Sequence, residues 1–290
     1  MTIQTHPQTT PDLRLAARQG LLPTRGGGWL AGFGNMLAKE LGEWFRTRRW
    51  LWQILIWPII IGGFVAFMLF VLPILNSMLQ AAQPGTVGGI ETLPPEVNGV
   101  SNFFSMLVLA GTIGVIILAH DEVIQEKHSG TAAWILSKPA ARQAFILTKF
   151  LSNAIGSLVF IIVLPGLVVL GEIFLATQKL LPLAPFLAGA GLSYLALIFY
   201  LSLVILLNVR FESRPPVLGI AFGVMLGGTM FVQFFPQYAF ALPFSMDKIA
   251  MLVGLGMPLP AMAVSGVIVT AVSSIVFILA ALWRFQHTEL

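Results

Sequence analysis

Residues 121–150, DEVIQEKHSGTAAWILSKPAARQAFILTKF, lie between two apolar segments of membrane length. A loop that only reverses the chain between two such segments is short and plain. This one carries four basic and three acidic residues, is punctuated by Gly130 and Pro139, and holds an apolar run of its own. It reads as an element built to touch something, and the apolar segments on either side of it decide the fold class.

Across its 290 residues the chain is 57% hydrophobic and only 10% charged, with a mean hydropathy of +0.89. Soluble domains carry about 25% charged residues. A chain this poor in polar groups cannot cover its surface in water, so the bilayer is its solvent. The net charge of +4 and pI near 9.7 do not point to nucleic acid, because the basic residues cluster beside apolar stretches and read as topology determinants. There is no cysteine, which excludes a disulfide, a thiolate zinc site and a thiol nucleophile. The first 28 residues are polar, rich in Pro, Thr, Gln and Gly, and lack an early apolar core. A cleavable signal peptide is therefore not expected, and loose order is.

Crossing about 30 Å of hydrocarbon takes about 20 apolar residues. Six stretches qualify: 50–75, 101–120, 150–174, 185–208, 217–235 and 260–283. In the fifth, Gly219, Gly223, Gly227 and Gly228 thin the side chains, and small residues in a membrane helix predict close packing against a neighbour. All but Lys179 and Lys248 of the 16 Lys and Arg residues fall on one side of this arrangement. The positive-inside rule then places both termini and the long loop in the cytoplasm.

Residues 29–49 form a separate element. Leu30, Phe33, Leu37, Leu41, Trp44 and Phe45 recur at three- and four-residue steps, with Lys39, Glu40, Glu43 and Arg46 elsewhere on the wheel. That pattern predicts an amphipathic helix lying in the membrane interface, with Arg46, Arg48 and Arg49 at the headgroups; a cytoplasmic extension of the first span is the alternative. The expected fold is an all-α membrane protein: a flexible N-terminus (1–28), an interfacial helix (29–49), a six-span domain (50–284) and a short tail (285–290). Residues 76–100 are a polar, Gly/Pro-rich outer loop. Residues 236–257 are apolar but broken by Pro236, Pro243, Gly254 and Gly256, which suits a re-entrant or surface-lying helix rather than a seventh span.

Within the long loop, Gly130 suits the end of the helix leaving span two, because glycine tolerates backbone angles other residues avoid. Thr131 suits the cap of a short helix through Ala132, Ala133, Trp134, Ile135 and Leu136. Ser137 and Pro139 suit a new helix start. In this run, Glu126, Gly130-Thr131, the apolar stretch around Trp134, the Ser-x-Pro turn at Ser137–Pro139 and Arg142, the chain resembles the permease subunits of type-2 ABC exporters. The layout is similar over the whole length: an interfacial N-terminal helix, six spans and a longer hydrophobic connection before the last. The resemblance implies that the short helix is a coupling helix. Trp134 would then anchor in a groove on a partner, with Glu126 and Arg142 adding orienting ion pairs. It also implies a separate soluble ATPase that binds ATP and Mg, pairing with a second copy or a related permease, and residence in a bacterial or archaeal cell membrane. Consistent with that division of labour, no segment carries the Gly-rich loop followed by Lys-Ser or Lys-Thr that cradles phosphate. On this reading the chain is not itself an enzyme and holds no cofactor or metal.

His120, Asp121, Glu122, Glu126 and His128 sit at a helix exit where solvated polar groups are expected, without a cysteine to favour a transition metal. Ser193 has no histidine in another span to activate it, which argues against an intramembrane serine protease. A stand-alone channel or secondary transporter usually buries ionisable residues near mid-membrane. Here only Glu172 approaches an apolar stretch, at the outer end of span three. A non-transporting assembly factor is a third class. The spans are rich in Phe, Leu and Gly and offer few polar anchors (Asn102, Ser105, Ser193, Tyr194, Tyr200, Asn208, Thr229, Gln233), which favours a hydrophobic or amphipathic cargo.

Overall fold

A chain crossing lipid must satisfy its own backbone polar groups, and a helix does so within one segment. The computed structural model describes residues 28–46, 48–82, 93–131 and 141–287. Among these, six helices are long and apolar enough to cross a membrane: span one Trp50–Ala82, span two Pro95–His128, span three Arg142–Thr177, span four Leu183–Arg210, span five Arg214–Phe234 and span six Ala263–Gln286. The protein is a multi-pass, all-helical membrane protein, with no strand among the described residues. Three shorter helices complete the elements used below: α1 (Phe33–Arg46), α2 (Glu122–His128), which ends span two, and α3 (Met246–Gly254), between spans five and six.

The first four spans overrun their apolar stretches, and span six starts at Ala263 rather than at Pro260. Span three begins eight residues before its apolar stretch, at Arg142, and carries Lys149 two turns inside the helix. Charge marks the edge of an apolar window, but it does not end a helix when a partner receives it. Span two is bent. Its main helix runs Pro95–Ala119, and Asp121 (φ −130°, ψ 3°) turns the chain before α2.

Span four is the central helix. Of its apolar window 67% is buried inside the protein, against 22% for span six. Phe186 at its start joins Phe103 and Phe104 of span two, with ring centroids 5.0–5.5 Å apart. At the other end of the bundle, Phe145 of span three stacks on Phe285 of span six at 5.4 Å. Spans one and three contain wide π-helical turns at Pro58–Gly62, Phe67–Val71 and Leu158–Val163. Proline lacks the N–H of a regular turn, and such widening is one way a helix absorbs it. The ring of Trp57, just before Pro58, packs against Gly114 of span two, where a β-carbon would collide with it.

The glycines of span five behave differently from expectation. Gly228 alone is packed closely, against Phe244, while Gly219, Gly223 and Gly227 have nothing within 4 Å of a built β-carbon. The connection 236–257 folds into two short 3₁₀ turns, Pro236–Ala241 and Pro243–Ser245, followed by α3. Met246, Ile249, Ala250 and Gly254 of α3 are buried, with Gly254 against Phe104 and the Ala250 carbonyl against Gly189. This segment is thus inserted against spans two and four. Its turns are paired locally, Leu242 N–H donating to the Ala239 carbonyl and Ser245 N–H to the Leu242 carbonyl, each at 3.5 Å.

Candidate functional site

α1 carries its apolar residues at helical spacing, but the face it buries is not the one the apolar spacing alone defines. Met36, Glu40 and Trp44, each four residues after the last, are the buried positions. Glu40 is 7% exposed, in the middle of the packed stripe rather than on the polar side. Trp44 stacks on Phe160 of span three at 5.5 Å and fits against Gly156, so α1 lies along the first half of span three. The backbone N–H of Ala141 donates to the Ala31 carbonyl at 2.9 Å and fixes the two elements at their starts.

A buried carboxylate in that position needs a cation. Lys149, 3% exposed, supplies it: its Nζ lies 3.3 Å from Glu40 and 3.1 Å from Glu126 of α2. Lys39 closes the ring from α1, 3.2 Å from Glu126 and 3.5 Å from Glu43. Burial draws the Lys39 ammonium down, but Glu126, Glu40 and Glu43 together outweigh it and hold its pKa above the ordinary lysine value. One turn further along span three, Asn153 donates to Glu122 at 2.9 Å. The groups line a polar cleft of about 450 Å³ that reaches Ser129 and Thr131. Three elements far apart in sequence, α1, the end of span two and the start of span three, are joined by one set of charges.

The same end of the bundle holds further ties to the loop. Lys127 of α2 donates to the carbonyls of Asn208 and Val209 at 3.3 and 3.1 Å, neutralising the carbonyl end of span four. Asn208, fully buried, donates to the Ala119 carbonyl at 2.7 Å, a group the bend in span two leaves without a helical partner. Asp121 pairs with Arg214 at the start of span five at 2.8 Å. Arg142 donates to the Gln286 carbonyl at the end of span six at 3.2 Å. Spans three, four, five and six therefore each have a polar contact to the segment from Asp121 to Arg142.

Of the loop residues singled out from sequence, Glu126 faces inward and is held by Lys39 and Lys149. Gly130 follows α2 with φ +69°, the left-handed geometry that favours glycine. The Thr131 hydroxyl shares a hydrogen bond with that of Ser129 at 2.8 Å. Trp134, Pro139 and the expected coupling helix lie outside the described residues. Glu40 and Lys149 were not recognised from sequence as a pair. The available signal was a lysine, an asparagine and two serines in the first turns of an otherwise apolar span.

Residues 94–290 match the family described as "Protein of unknown function (DUF2705)". The chain belongs to this family. No curated protein matches it. The DUF2705 region takes in Glu122, Glu126 and Lys149, while Lys39 and Glu40 precede it.

The polar residues proposed from sequence as cargo anchors divide in this DUF2705 chain. Ser193 donates to the Gly189 carbonyl, Tyr194 to Ala154 and Asn102 to Asn98, which leaves them as helix-packing groups together with Asn208. Ser105, Tyr200 and Thr229 line a separate cavity of about 250 Å³ between spans two, four and five, roofed by Pro243, Phe244 and Asp247. Asp247 escaped notice because it lies in the connection, outside every span. Glu172 is half-buried in span three, its carboxylate beside Gly62 of span one.

Proposed function

We propose that the chain is the permease subunit of an ATP-driven exporter. It would work with a separate ABC ATPase and with a second copy or a related permease, both termini in the cytoplasm of a bacterial or archaeal cell. The observation that carries the reading is the buried ion network in which Lys149 joins Glu40 and Glu126. A loop that only reversed the chain would need no such anchor. Here both flanks of the loop are tied to α1 and to the ends of spans four, five and six, so a push on the loop is passed to five spans at once. Ion pairs with little exposure resist separation, because parting them strands charge in a poor solvent.

In that mechanism the ATPase closes on ATP and presses the loop around Trp134. Gly130 lets the loop pivot, while Glu126 and Lys149 carry the displacement into span three and α1. The spans tilt and the pathway opens outward. No side chain of the permease forms or breaks a covalent bond.

The test is reconstitution of the full chain with an ABC ATPase that co-purifies with it, measuring ATP hydrolysis and ATP-dependent flux in vesicles. Replacing Trp134 and Arg142 together should leave insertion intact and uncouple hydrolysis from transport. A double variant that co-purifies with the ATPase and transports normally would sink the reading.

A further inference from the structure

The cavity between spans two, four and five has the composition of a ligand site. Its one charged lining group is Asp247, in the first turn of α3; the other polar groups are the hydroxyls of Ser105, Thr112, Tyr200 and Thr229. Val108, Leu109, Met225, Pro243 and Phe244 supply a carbon surface. A few polar groups converging in an apolar pocket are the usual form of a small-molecule site.

A second observation is independent of the charge. A threonine hydroxyl inside a helix ordinarily donates to the carbonyl four residues back. Thr229 does so to Met225 at 2.9 Å and Thr270 to Gly266 at 2.6 Å. Thr112 does not: it is 2% exposed, its hydroxyl has no partner among the described residues, and it lines the cavity. A buried polar atom without a partner is costly, and a ligand on that wall would relieve it.

We propose that this cavity binds an organic cation, an ammonium group on an apolar body, with the charge toward Asp247 and Thr112 and the body against Leu109, Met225 and Phe244. The sign follows from the lining, which holds a carboxylate and no basic side chain. The apolar body follows from the volume, about 250 Å³, far more than a bare metal ion fills. Phe244, held edge-on by Phe199 at 6.4 Å and seated on Gly228, offers a ring to the cation as well. Burial raises the Asp247 carboxyl above its ordinary value, with the Lys248 backbone and charge opposing. An incoming cation would favour the ionised form. Calling the cation cargo rests on the transport reading above; its binding does not.

The test is equilibrium binding of radiolabelled benzyltrimethylammonium to the full chain in nanodiscs of neutral phosphatidylcholine, without ATP or an ATPase. Neopentylbenzene, which replaces the charged nitrogen by carbon, is the competitor. Saturable binding is expected, the neutral compound competing poorly. Asp247→Asn should weaken binding by about tenfold or more, the scale of losing a charged partner. Thr112→Val, of nearly the same shape, should weaken it by a smaller factor. Circular dichroism of each variant checks its fold. Should Asp247→Asn fail to fold, Thr112→Val and the neutral competitor decide the matter. No saturable binding by the wild type, equal binding by folded Asp247→Asn, or equal competition by neopentylbenzene overturns the proposal. Loss of binding with ATP-driven flux intact would remove the site and leave the transport reading standing.

Discussion

Lys149 Nζ of span three lies 3.3 Å from Glu40 of α1, a residue 109 positions earlier, and both side chains are almost wholly buried. Breaking such a pair from one side leaves a charge in a place that cannot solvate it, at a cost of about 3–5 kcal/mol. Lys149→Met should therefore destabilise strongly in thermal unfolding of the purified protein. Adding Glu40→Gln should recover part of the loss, because Glu126 still has Lys39 at 3.2 Å. Equal stability of Lys149→Met and wild type would show that the network is not closed.

Gly130, at φ +69°, should resist any side chain. Left-handed geometry costs an ordinary residue about 1–2 kcal/mol. Because a built β-carbon at Gly130 meets nothing within 4 Å, the cost is conformational and not steric. Gly130→Asn should then be milder than Gly130→Val. A coupling assay in which Gly130→Val behaves as wild type would mean the pivot is elsewhere.

Glycines of spans two and five should respond in opposite ways. Gly114→Ala drives a methyl group into the Trp57 ring, an overpacking worth about 1–3 kcal/mol. Gly223→Ala meets nothing within 4 Å and should be neutral, or stabilising by up to about 1 kcal/mol through helix propensity. Side-by-side melting curves decide this pair.

Asp247 sets a pH dependence whose sign can be stated. Its folded pKa is raised by burial, so the folded state holds the proton more tightly than the unfolded chain. The associated stability is complete below the unfolded carboxyl value and is lost as pH rises through the folded one. Asp247→Asn removes that loss while keeping an acceptor for the α3 backbone. Its melting temperature relative to wild type should rise from pH 4 to pH 7; a constant difference would place the carboxylate in solvent.

The absence of native cysteine allows a direct check of orientation. Ser129→Cys, beside the ion network, should react with a membrane-impermeant maleimide only from the cytoplasmic side, and Lys179→Cys only from outside. The reverse pattern would remove the ATPase-facing loop altogether.

How much could be read without the tertiary structure differs from element to element. The six spans were legible because about 20 apolar residues in a row have few other uses, and hydropathy depends only on the residues themselves. The end of α2 at Gly130 was legible for the same local reason. Span three was placed too late because Lys149 looks like a boundary until Glu40 and Glu126 are seen around it. Glu40 was assigned to the polar face of α1 because spacing cannot tell that a lysine waits on the packed side.

Composition and local pattern thus determined that this chain lives in lipid, how often it crosses and where it can turn. Which charges are buried, which glycines are pressed against a ring and which hydroxyls open onto the cavity were decided only when distant segments met. The physical reason is that hydrophobicity and backbone preference are properties of a residue and its near neighbours. A buried ion pair such as that of Lys149 with Glu40 exists only between groups that folding brings together.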